Sequence, residues 1–386
     1  MPERVLVVGV VGGRPAVPLG RPALVVGGRR HLDAVAPDGV PTLALGADLG
    51  PALDAIGAEP GPVCVLGSGD PGFFGIVRAL AERFGPAALE VHPAPSSVAL
   101  AFARLGLPWD DATVVSAHGR PLAEAARRAA VCAKAAVLVG PEAPPEALGK
   151  ELVALGARPE QVAVCSRLGY DDERVDAVTL EELAGGTWDP LAVVVLVSGT
   201  GVARAPVPSW GGPESAFARR QGMITKAEVR AVALAKLDLP PSGVVWDVGA
   251  GSGSVAVECA SLAPSTRVFA VERRPDDAQR IRANAAGHGA IVEVVVGSAP
   301  EVLADLPDPD RAFVGGGGLA ALDAVLARLR PGGRVVATYA AMDRAVAAHA
   351  RLGHLVQVAV NRAEPLGGGL RLIPENPVFL AWGPPA

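Results

Sequence analysis

Short apolar runs recur along the first half of the chain and alternate with segments of helical spacing. The runs are continuously apolar rather than alternating, which is typical of strands that are covered on both faces. We therefore expect α/β layers of the parallel type, with a hinge at Pro108–Asp111 that splits this half into two lobes near residue 110. The predicted strands are Val5–Val8, Ala23–Val26, Val63–Leu66, Thr113–Ser116, Ala135–Val139, Val162–Cys165 and Leu191–Ser198.

The clearest break in this pattern lies at 204–213, where three prolines and two glycines fall within ten residues. Proline and glycine at this density exclude a helix or a central strand. After the break, Thr225 and Glu228 have the spacing of a capping box and predict the start of a helix. The predicted domains are 1–204 and 214–386, with a linker over 205–213.

The second half repeats a strand–helix–strand order, which closes into a doubly wound sheet. Strands are predicted over 244–248, 267–271, 291–296, 311–314 and 334–337. Helices are predicted over 255–262, 276–286 and 319–329.

Gly249, Gly251 and Gly253 lie between the first of these strands and the first helix, where they predict a ligand cradle. Glycine lets the backbone approach a ligand closely, and the helix N-terminus presents free N–H groups. Glu272 ends the following strand, where a carboxylate can accept both hydroxyls of a ribose. The loop therefore predicts a ligand that contains a nucleoside.

Two such ligands share this geometry, a dinucleotide and S-adenosylmethionine (SAM). The dinucleotide fingerprint has a third glycine at the position of Ser254, and this chain lacks it. Asp247 favours SAM, because a carboxylate attracts the ammonium group of SAM and repels a pyrophosphate. The adenine is expected beside Gly297–Pro300, which follow the next strand.

Composition narrows the function classes. The formal net charge of −5 excludes a polybasic nucleic-acid platform, and an aromatic content of 4% weighs against stacking on bases. The four cysteines form no CxxC pair and the six histidines no HExxH, so we expect neither a disulfide framework nor a metal site. We expect no signal peptide and no transmembrane helix, which predicts a cytoplasmic protein.

Residues 222–300 resemble the SAM-dependent domain of the precorrin-6Y C(5,15)-methyltransferase (decarboxylating) family of cobalamin biosynthesis. The matching stretches are Met223–Arg230, Trp246–Ser254, Val271–Pro275 and Gly297–Glu301. Farther on, Phe313–Gly318 looks like that family's substrate-side glycine turn. The resemblance implies a substrate site at Gly315, Gly316 and Gly317. It implies a SAM site at Thr225, Asp247, Gly249, Ala250, Gly251, Ser252, Gly253, Glu272, Ser298 and Ala299.

The first half is similar to the other module of that family, a class III tetrapyrrole methylase. Gly67–Gly75 carries most of the similarity, and Pro95–Val98 and Ser116–Arg120 support it. This chain departs from the family at two places. The first loop of the family reads Gly-hydrophobic-Gly-Pro-Gly, whereas Gly9–Gly13 of this chain contains no proline. Gly140-Pro141 stands where a Thr-Asp pair is common in the family. The resemblance implies a second SAM site at Gly69, Asp70, Pro71, Ser96 and Ser97. It also implies that Arg120 contacts the substrate.

Together the two resemblances imply an α/β chain with a two-lobed class III tetrapyrrole methylase fold, followed by a class I Rossmann-like methyltransferase fold. The implied substrate is precorrin-6Y, a reduced tetrapyrrole rich in acetate and propionate groups. Methyl groups go to meso carbons 5 and 15, and the acetate on carbon 12 loses carbon dioxide to give precorrin-8. A homo-oligomer, either a dimer or a tetramer, is also implied.

This chemistry needs few protein groups, because the macrocycle is its own nucleophile and methyl transfer depends on alignment. The candidate proton donors for decarboxylation are His288 and Tyr339, and the candidate ligands for substrate carboxylates are Arg362 and Arg371. His118 is a further candidate for substrate contact. No nucleic acid, membrane or metal is expected as a partner.

Two rival functions stay open at this point. One is a class I methyltransferase that acts on RNA or protein and is fused to an unrelated α/β domain. The other is a SAM or nucleotide sensor without enzymatic activity, whose mark would be a closed cleft with no room for a macrocycle beside the sulfonium of SAM.

Overall fold

The computed structural model divides the chain into two compact units, residues 1–199 and 200–386. No helix among the described residues is long and apolar enough to cross a membrane. The structure describes residues 4–46, 48–117, 121–198, 210–220 and 224–384.

The first sheet of the first unit is almost entirely parallel, as its continuous apolar runs predict. In it β5, β1 and β6 run side by side and in the same direction, with β3 and β4 following beyond β5, while only the short β2 is antiparallel to β1. Helices α1, α2 and α3 cover the sheet, and apolar clusters lie on both of its faces. The elements are β1 (Val5–Val11), β2 (Arg14–Pro15), β3 (Leu24–Gly27), α1 (Arg29–Val35), β4 (Thr42–Ala44), α2 (Gly50–Ala58), β5 (Val63–Ser68), α3 (Val77–Phe84) and β6 (Leu89–His92).

The second sheet of this unit is mainly antiparallel, so the expectation of parallel layers is wrong here. Its order is β10-β9-β11-β8-β7, and only the β7–β8 pair is parallel. The strands of this sheet are continuously apolar because both faces of the sheet are covered, and that burial does not depend on whether neighbouring strands are parallel. The elements are α4 (Ser97–Leu105), β7 (Thr113–Ser116), α5 (Leu122–Ala130), β8 (Lys134–Leu138), α6 (Pro145–Ala154), β9 (Gln161–Ser166), β10 (Arg174–Val178), α7 (Leu180–Gly185) and β11 (Ala192–Val197).

Helix α4 connects the two sheets of the first unit. Val98 and Phe102 on α4 are fully buried against strands of the second sheet. The change from one sheet to the other therefore comes between β6 and α4, before the hinge that was predicted at Pro108–Asp111.

The second unit is a doubly wound sheet, as predicted, with the order β14-β13-β12-β15-β16-β20-β17. The strands from β14 to β16 are parallel, whereas β20 is antiparallel to both of its neighbours. The strand order reverses between β12 and β15, and such a switch point is where open α/β sheets bind ligands. The elements are α8 (Ala227–Leu237), β12 (Gly243–Val248), α9 (Ser254–Leu262), β13 (Thr266–Glu272), α10 (Pro275–Gly287), β14 (Val292–Val296), β15 (Arg311–Val314), α11 (Gly318–Arg328), β16 (Arg334–Tyr339), α12 (Met342–Leu352), β17 (His354–Val358), β18 (Asn361–Leu366), β19 (Gly369–Pro374) and β20 (Val378–Gly383).

A buried ion pair secures the beginning of the second unit. Arg230 on α8 is fully buried, and its Nε donates to Glu258 on α9 at 2.7 Å. The same carboxylate accepts from the backbone N–H groups of Gly211 (3.0 Å) and Gly212 (2.9 Å). Residues 210–213, the described part of the predicted linker, therefore pack on the second unit, and residues 205–209 lie outside the described residues.

The predicted capping box before α8 is wrong. The residue at the N-cap is Lys226, and no side chain caps the helix. Glu228 instead forms a two-bond ion pair with Arg362, at 2.5 and 2.8 Å, so its carboxylate does not turn back to the helix end. The Thr225 carbonyl accepts a bond from Arg230.

Candidate cofactor and substrate sites

The glycine loop of the second unit lies directly between β12 and α9, as predicted. The backbone of Gly251 has a φ of +58°, which residues other than glycine rarely adopt. A Cβ atom built on Gly251 would meet no described atom within 4 Å. The N–H groups of Gly249 and Ala250 both donate to the carbonyl of Val271 on the neighbouring strand. The loop is thus fixed to the sheet while the space above Gly251 stays open.

Asp247 supplies a buried carboxylate beneath this loop. Its Oδ2 accepts from the N–H of Ala256 at 2.9 Å, whereas its Oδ1 has no hydrogen-bond partner among the described residues. Burial raises the pKa of this carboxyl to about 7, and the negative charge of Glu272 adds to the shift. The hydroxyl of Ser252 is likewise buried and unpartnered. A positively charged, hydrogen-bonding ligand group would satisfy these atoms.

Glu272 ends β13 beside the loop and braces it. Its Oε2 accepts from the N–H of Gly251 at 2.9 Å, and its Oε1 accepts from the N–H of Arg274 at 3.1 Å. Each carboxylate oxygen has a further lone pair, so hydroxyls can still donate to it. The N–H of Gly297 donates to the Glu272 carbonyl, which brings Ser298 and Ala299 to the next strand end. The predicted loop, acids and adenine-side residues therefore share one edge of the sheet.

Thr225 lies at the start of α8. None of its described contacts joins it to the glycine loop, and its role as a SAM ligand stays a prediction.

The second glycine turn, at 315–318, touches the first. Gly315 and Gly316 donate their N–H groups to the carbonyl of Val248, and a Cβ on Gly249 would lie 2.6 Å from Gly316 Cα. A cavity of about 260 Å³ opens on this turn, and Tyr339 and Arg344 also line it. The structure therefore brings the predicted substrate-side turn, Gly315–Gly317, next to the predicted SAM loop.

The first unit has a cavity of about 750 Å³, to which both of its lobes contribute lining residues. Ser96 accepts from the N–H of Ala99 and caps α4, and Asp70 accepts from the N–H of Gly72 within its own turn. The site residues predicted for this half that are described all line this cavity, namely Gly69, Asp70, Pro71, Ser96 and Ser97.

A cluster of polar side chains in the same cavity was not predicted from the sequence. Arg30 Nη2 donates to Ser68 Oγ at 2.6 Å, and His31 Nε2 lies 2.8 Å from the same oxygen. Burial, together with the charge of Arg30, lowers the pKa of His31 to about 4, so the ring is neutral at pH 7. Their position in the sequence could have revealed Arg30 and His31 as site residues. They follow β3, which ends at Gly27, and therefore lie at the carboxyl edge of a parallel sheet, where ligands bind.

The remaining candidate substrate ligands differ in their surroundings. Arg362 is engaged by the carboxylates of Glu228, Glu375 and Glu214, and Arg371 lies 3.4 Å from Glu364 on the exposed β18–β19 ribbon. Three carboxylates thus occupy Arg362, whereas Arg371 stays exposed apart from this one contact, and its role as a substrate ligand stays a prediction. Arg120 and His118 lie outside the described residues.

The two candidate proton donors differ in location. His288 stacks on Phe217 and bonds the carbonyl of Asn284 at the end of α10. It does not line the cavity at the glycine turn, whereas Tyr339 does.

Comparisons with known protein families match both units. A family model described as a precorrin methyltransferase domain matches residues 215–382. A model described as tetrapyrrole (corrin/porphyrin) methylases matches residues 52–184.

Individual proteins agree with these matches. Precorrin-6Y C(5,15)-methyltransferase [decarboxylating] of a Sinorhizobium species is 36% identical over 92% of this chain and 88% of its own length. A probable cobalt-precorrin-6B C(15)-methyltransferase (decarboxylating) of Pyrobaculum calidifontis is 41% identical over 45% of this chain and 96% of its own length. The crystal structure of the C-terminal domain of precorrin-6Y C5,15-methyltransferase from Rhodobacter capsulatus is 37% identical, with a TM-score of 0.43 over 46% of this chain and 98% of that one. The chain therefore belongs to the family of precorrin-6Y C(5,15)-methyltransferases (decarboxylating).

Proposed function

We propose that the two units divide the family's reaction between two SAM sites. The chain is a SAM-dependent methyltransferase of cobalamin biosynthesis that acts on a precorrin. The second unit methylates carbon 15 and decarboxylates the acetate on carbon 12, and the first unit methylates carbon 5. The observation that carries this division is the presence of one separate candidate cofactor site in each unit.

In the second unit, the fit to SAM rests on unsatisfied atoms and open space. Asp247 Oδ1 and Ser252 Oγ are buried without partners among the described residues, and none of the described atoms that face the loop lies within 4 Å of a Cβ built on Gly251. Asp247 would hold the ammonium end of the cofactor, Glu272 the ribose and Ser298–Ala299 the adenine. SAM supplies an electrophilic methyl group when it is bound there.

In the first unit, the cavity fits the second site because the sequence motif and the open volume coincide. Gly69–Pro71 and Ser96–Ser97, which lie against each other, both line it. At about 750 Å³ it lies within the range of small-molecule sites, about 300–1,000 Å³. The Arg30–Ser68–His31 cluster gives it hydrogen-bonding groups for polar substituents.

The geometry of the substrate also favours two sites. Methyl transfer requires the donor to lie in line with its target carbon, and carbons 5 and 15 lie on opposite sides of the macrocycle. Carbon 12 and carbon 15 belong to the same side, so one bound pose serves both. A relative with about half the length of this chain bears the name C(15)-methyltransferase (decarboxylating), which supports the assignment of these two steps to one unit.

Neither rival function is favoured by an observation. Family membership counts against an RNA or protein substrate. Membership of a family of enzymes counts against a sensor without activity.

The test is to replace Gly251 by valine in the full chain and to weigh the products formed from precorrin-6Y and SAM. We expect Gly251→Val to yield a product with one added methyl group and its full set of carboxylates. Gly289→Val is the matched control, because Gly289 has a similar φ of +61° and open space around it but lies away from the loop. A Gly251→Val protein that still releases carbon dioxide at the control rate would contradict the division.

We also propose that the enzyme forms a homo-oligomer and works in the cytoplasm. The β18–β19 ribbon exposes Leu366, Leu370 and Leu372, of which Leu370 is 73% exposed, and such apolar surface is typical of contact sites. The cysteines are free thiols, which suits a reducing compartment. Light scattering of Leu370→Lys should show a smaller particle than the unaltered chain.

A further inference from the structure

We propose that the Tyr339 hydroxyl relays a proton from carbon 15 to the acetate methylene on carbon 12. This inference rests on the proposed function of the second unit, and it assigns the residue that links the unit's two reactions.

The two reactions balance each other in protons. At carbon 15 a bond to the incoming methyl carbon forms and the C–H bond breaks, so one proton must leave. At carbon 12 the bond between methylene and carboxylate breaks, carbon dioxide departs, and the electron pair enters the conjugated ring. The methylene must then gain one proton to become a methyl group. One proton is released and one is consumed, so a relay needs no net acid or base: the Tyr339 hydroxyl donates its own proton to the methylene and takes up the proton from carbon 15.

The position of Tyr339 suits a relay between neighbouring points of one ring edge. Val314 at the end of β15 pairs with Ala337 on β16, so the glycine turn that follows β15 and Tyr339 at the end of β16 both lie at the carboxyl edge of the sheet. Adjacent strands lie about 4.8 Å apart, which puts Tyr339 about 10 Å from the strand that leads into the SAM loop. The glycine turn 315–318 and Tyr339 line the same cavity. Glycines carry no side chains, so a flat macrocycle can lie across them.

Tyr339 also has the burial and the protonation state that a proton relay needs. Its side chain is nine-tenths buried, it lines the cavity, and its hydroxyl has no hydrogen-bond partner among the described residues. Burial raises its pKa to about 12, so the phenol holds its proton at neutral pH. In the part of the chain that the structure describes, Arg344 is the other ionisable side chain that lines this cavity.

Arg344 completes the site as an anchor. It stands in the first turn of α12, is exposed, and makes no hydrogen bond or ion pair with a described residue. An unpaired guanidinium at the rim of a cavity binds a carboxylate in a forked geometry. We assign it to a carboxylate that the substrate retains, because pairing with the departing carboxylate would hold that group in place.

The principal test compares Tyr339→Phe with the unaltered full chain. We expect the release of carbon dioxide to fall by about 10²–10⁴-fold, the range for general acid–base groups, while binding of SAM and of the tetrapyrrole stays near the unaltered level. Arg344→Gln should instead raise KM for the tetrapyrrole and change kcat little. Arg282→Gln is the matched control, because this exposed helical arginine has only a 3.5 Å contact with the carbonyl of Val294.

A second measurement needs no variant and covers the case in which Tyr339→Phe fails to fold. The unaltered chain is incubated with precorrin-6Y and S-adenosylhomocysteine, which has no methyl group to transfer, so carbon 15 releases no proton. We expect the release of carbon dioxide to fall with the loss of methyl transfer, and release at the rate seen with SAM overturns the relay.

The outcomes separate the relay from the proposed function. If Gly251→Val abolishes decarboxylation and Tyr339→Phe does not, the division of labour stands and the relay is overturned. If Gly251→Val retains decarboxylation, the proposed function itself fails.

Discussion

The two units present contrasting ways to build a small-molecule site. In the second unit one edge of a single sheet supplies the loop, both acids and the glycine turn. In the first unit the cavity takes its lining from two lobes, and residues as distant in sequence as Gly69 and Ala192 share it. A site built from consecutive strand ends is a local feature of the chain, whereas a site between lobes exists only once the lobes have packed.

The two sites also differ in charge. Buried carboxylates dominate the second site, and the pKa of Asp247 is raised to about 7. A guanidinium, a hydroxyl and a neutral imidazole dominate the cluster in the first site, and the pKa of His31 is lowered to about 4. Burial drives both shifts, since it penalises the charged form of either group. The two sites should therefore respond differently to mutation and to pH.

The largest expected effect is the loss of one whole site. Calorimetric titration of the full chain should show two SAM molecules bound per chain, and Gly251→Val should leave one. A side chain at this φ is strained and fills the open space above the loop. Gly289→Val should retain both sites, and a stoichiometry of one for the unaltered chain would refute the two-site comparison.

A smaller loss of SAM affinity is expected when Glu272, whose carboxylate accepts a hydrogen bond from Gly251 of the loop, is replaced. Glu272→Ala should weaken SAM binding at the second site by about 10–100-fold, because a charged hydrogen-bonded pair contributes about 1.5–3 kcal/mol. Glu293→Gln on the neighbouring strand is the control, since its carboxylate is exposed and pairs only with Arg267. Equal affinities for the two variants would place the ribose elsewhere.

The pH dependence of SAM binding should separate the two sites. Binding of an ammonium group needs the carboxylate form of Asp247, which is lost as pH falls below about 7. Affinity at the second site should thus fall by about tenfold per pH unit between pH 7 and 5, where the α-amino group of SAM keeps its charge. His31 stays neutral across this window, so the first site should change little.

That contrast can be checked by titrating the unaltered chain at pH 5, 6 and 7. Asp247→Asn serves as the reference, because its amide does not titrate. A second site whose affinity is independent of pH would argue against contact between Asp247 and the ammonium group.

The smallest effect is expected at Arg362. Its guanidinium is engaged by three carboxylates rather than by substrate, so Arg362→Gln should leave KM for the tetrapyrrole unchanged. Exposed ion pairs contribute little, and only a slight fall in melting temperature should accompany the change. A clear rise in KM would restore Arg362 as a substrate ligand.

What could be predicted from the sequence follows the same contrast between local and distant structure. Asp247, the glycine loop and Glu272 lie close together in the chain, and the strand–helix–strand order carries them to one sheet edge. His31 was missed because its partner, Ser68, is 37 residues away and ends a different strand. The ion pairs of the candidate ligand Arg362 could not be predicted either, because its partner Glu228 is 134 residues away.

Strands with exposed side chains were missed for a different reason. The ribbon strands β18 and β19 are exposed along nearly their whole length, so they lack the apolar runs that revealed the buried strands. β10 lies at the edge of its sheet and is half exposed for the same reason. Apolar patterning reports burial, and it does not report pairing at an exposed edge.

The ion pair between Arg230 and Glu258 determines where the chain can be cut. A fragment that begins at residue 214 would keep Arg230 but lose both glycine N–H donors to the buried Glu258 carboxylate, and each hydrogen bond to a charged group contributes about 1.5–3 kcal/mol. Trp210 Nε1 also donates to the carbonyl of Ala231 on α8. Proteolysis or a split gene that separates the two halves must therefore cut before Trp210 to leave the second half intact.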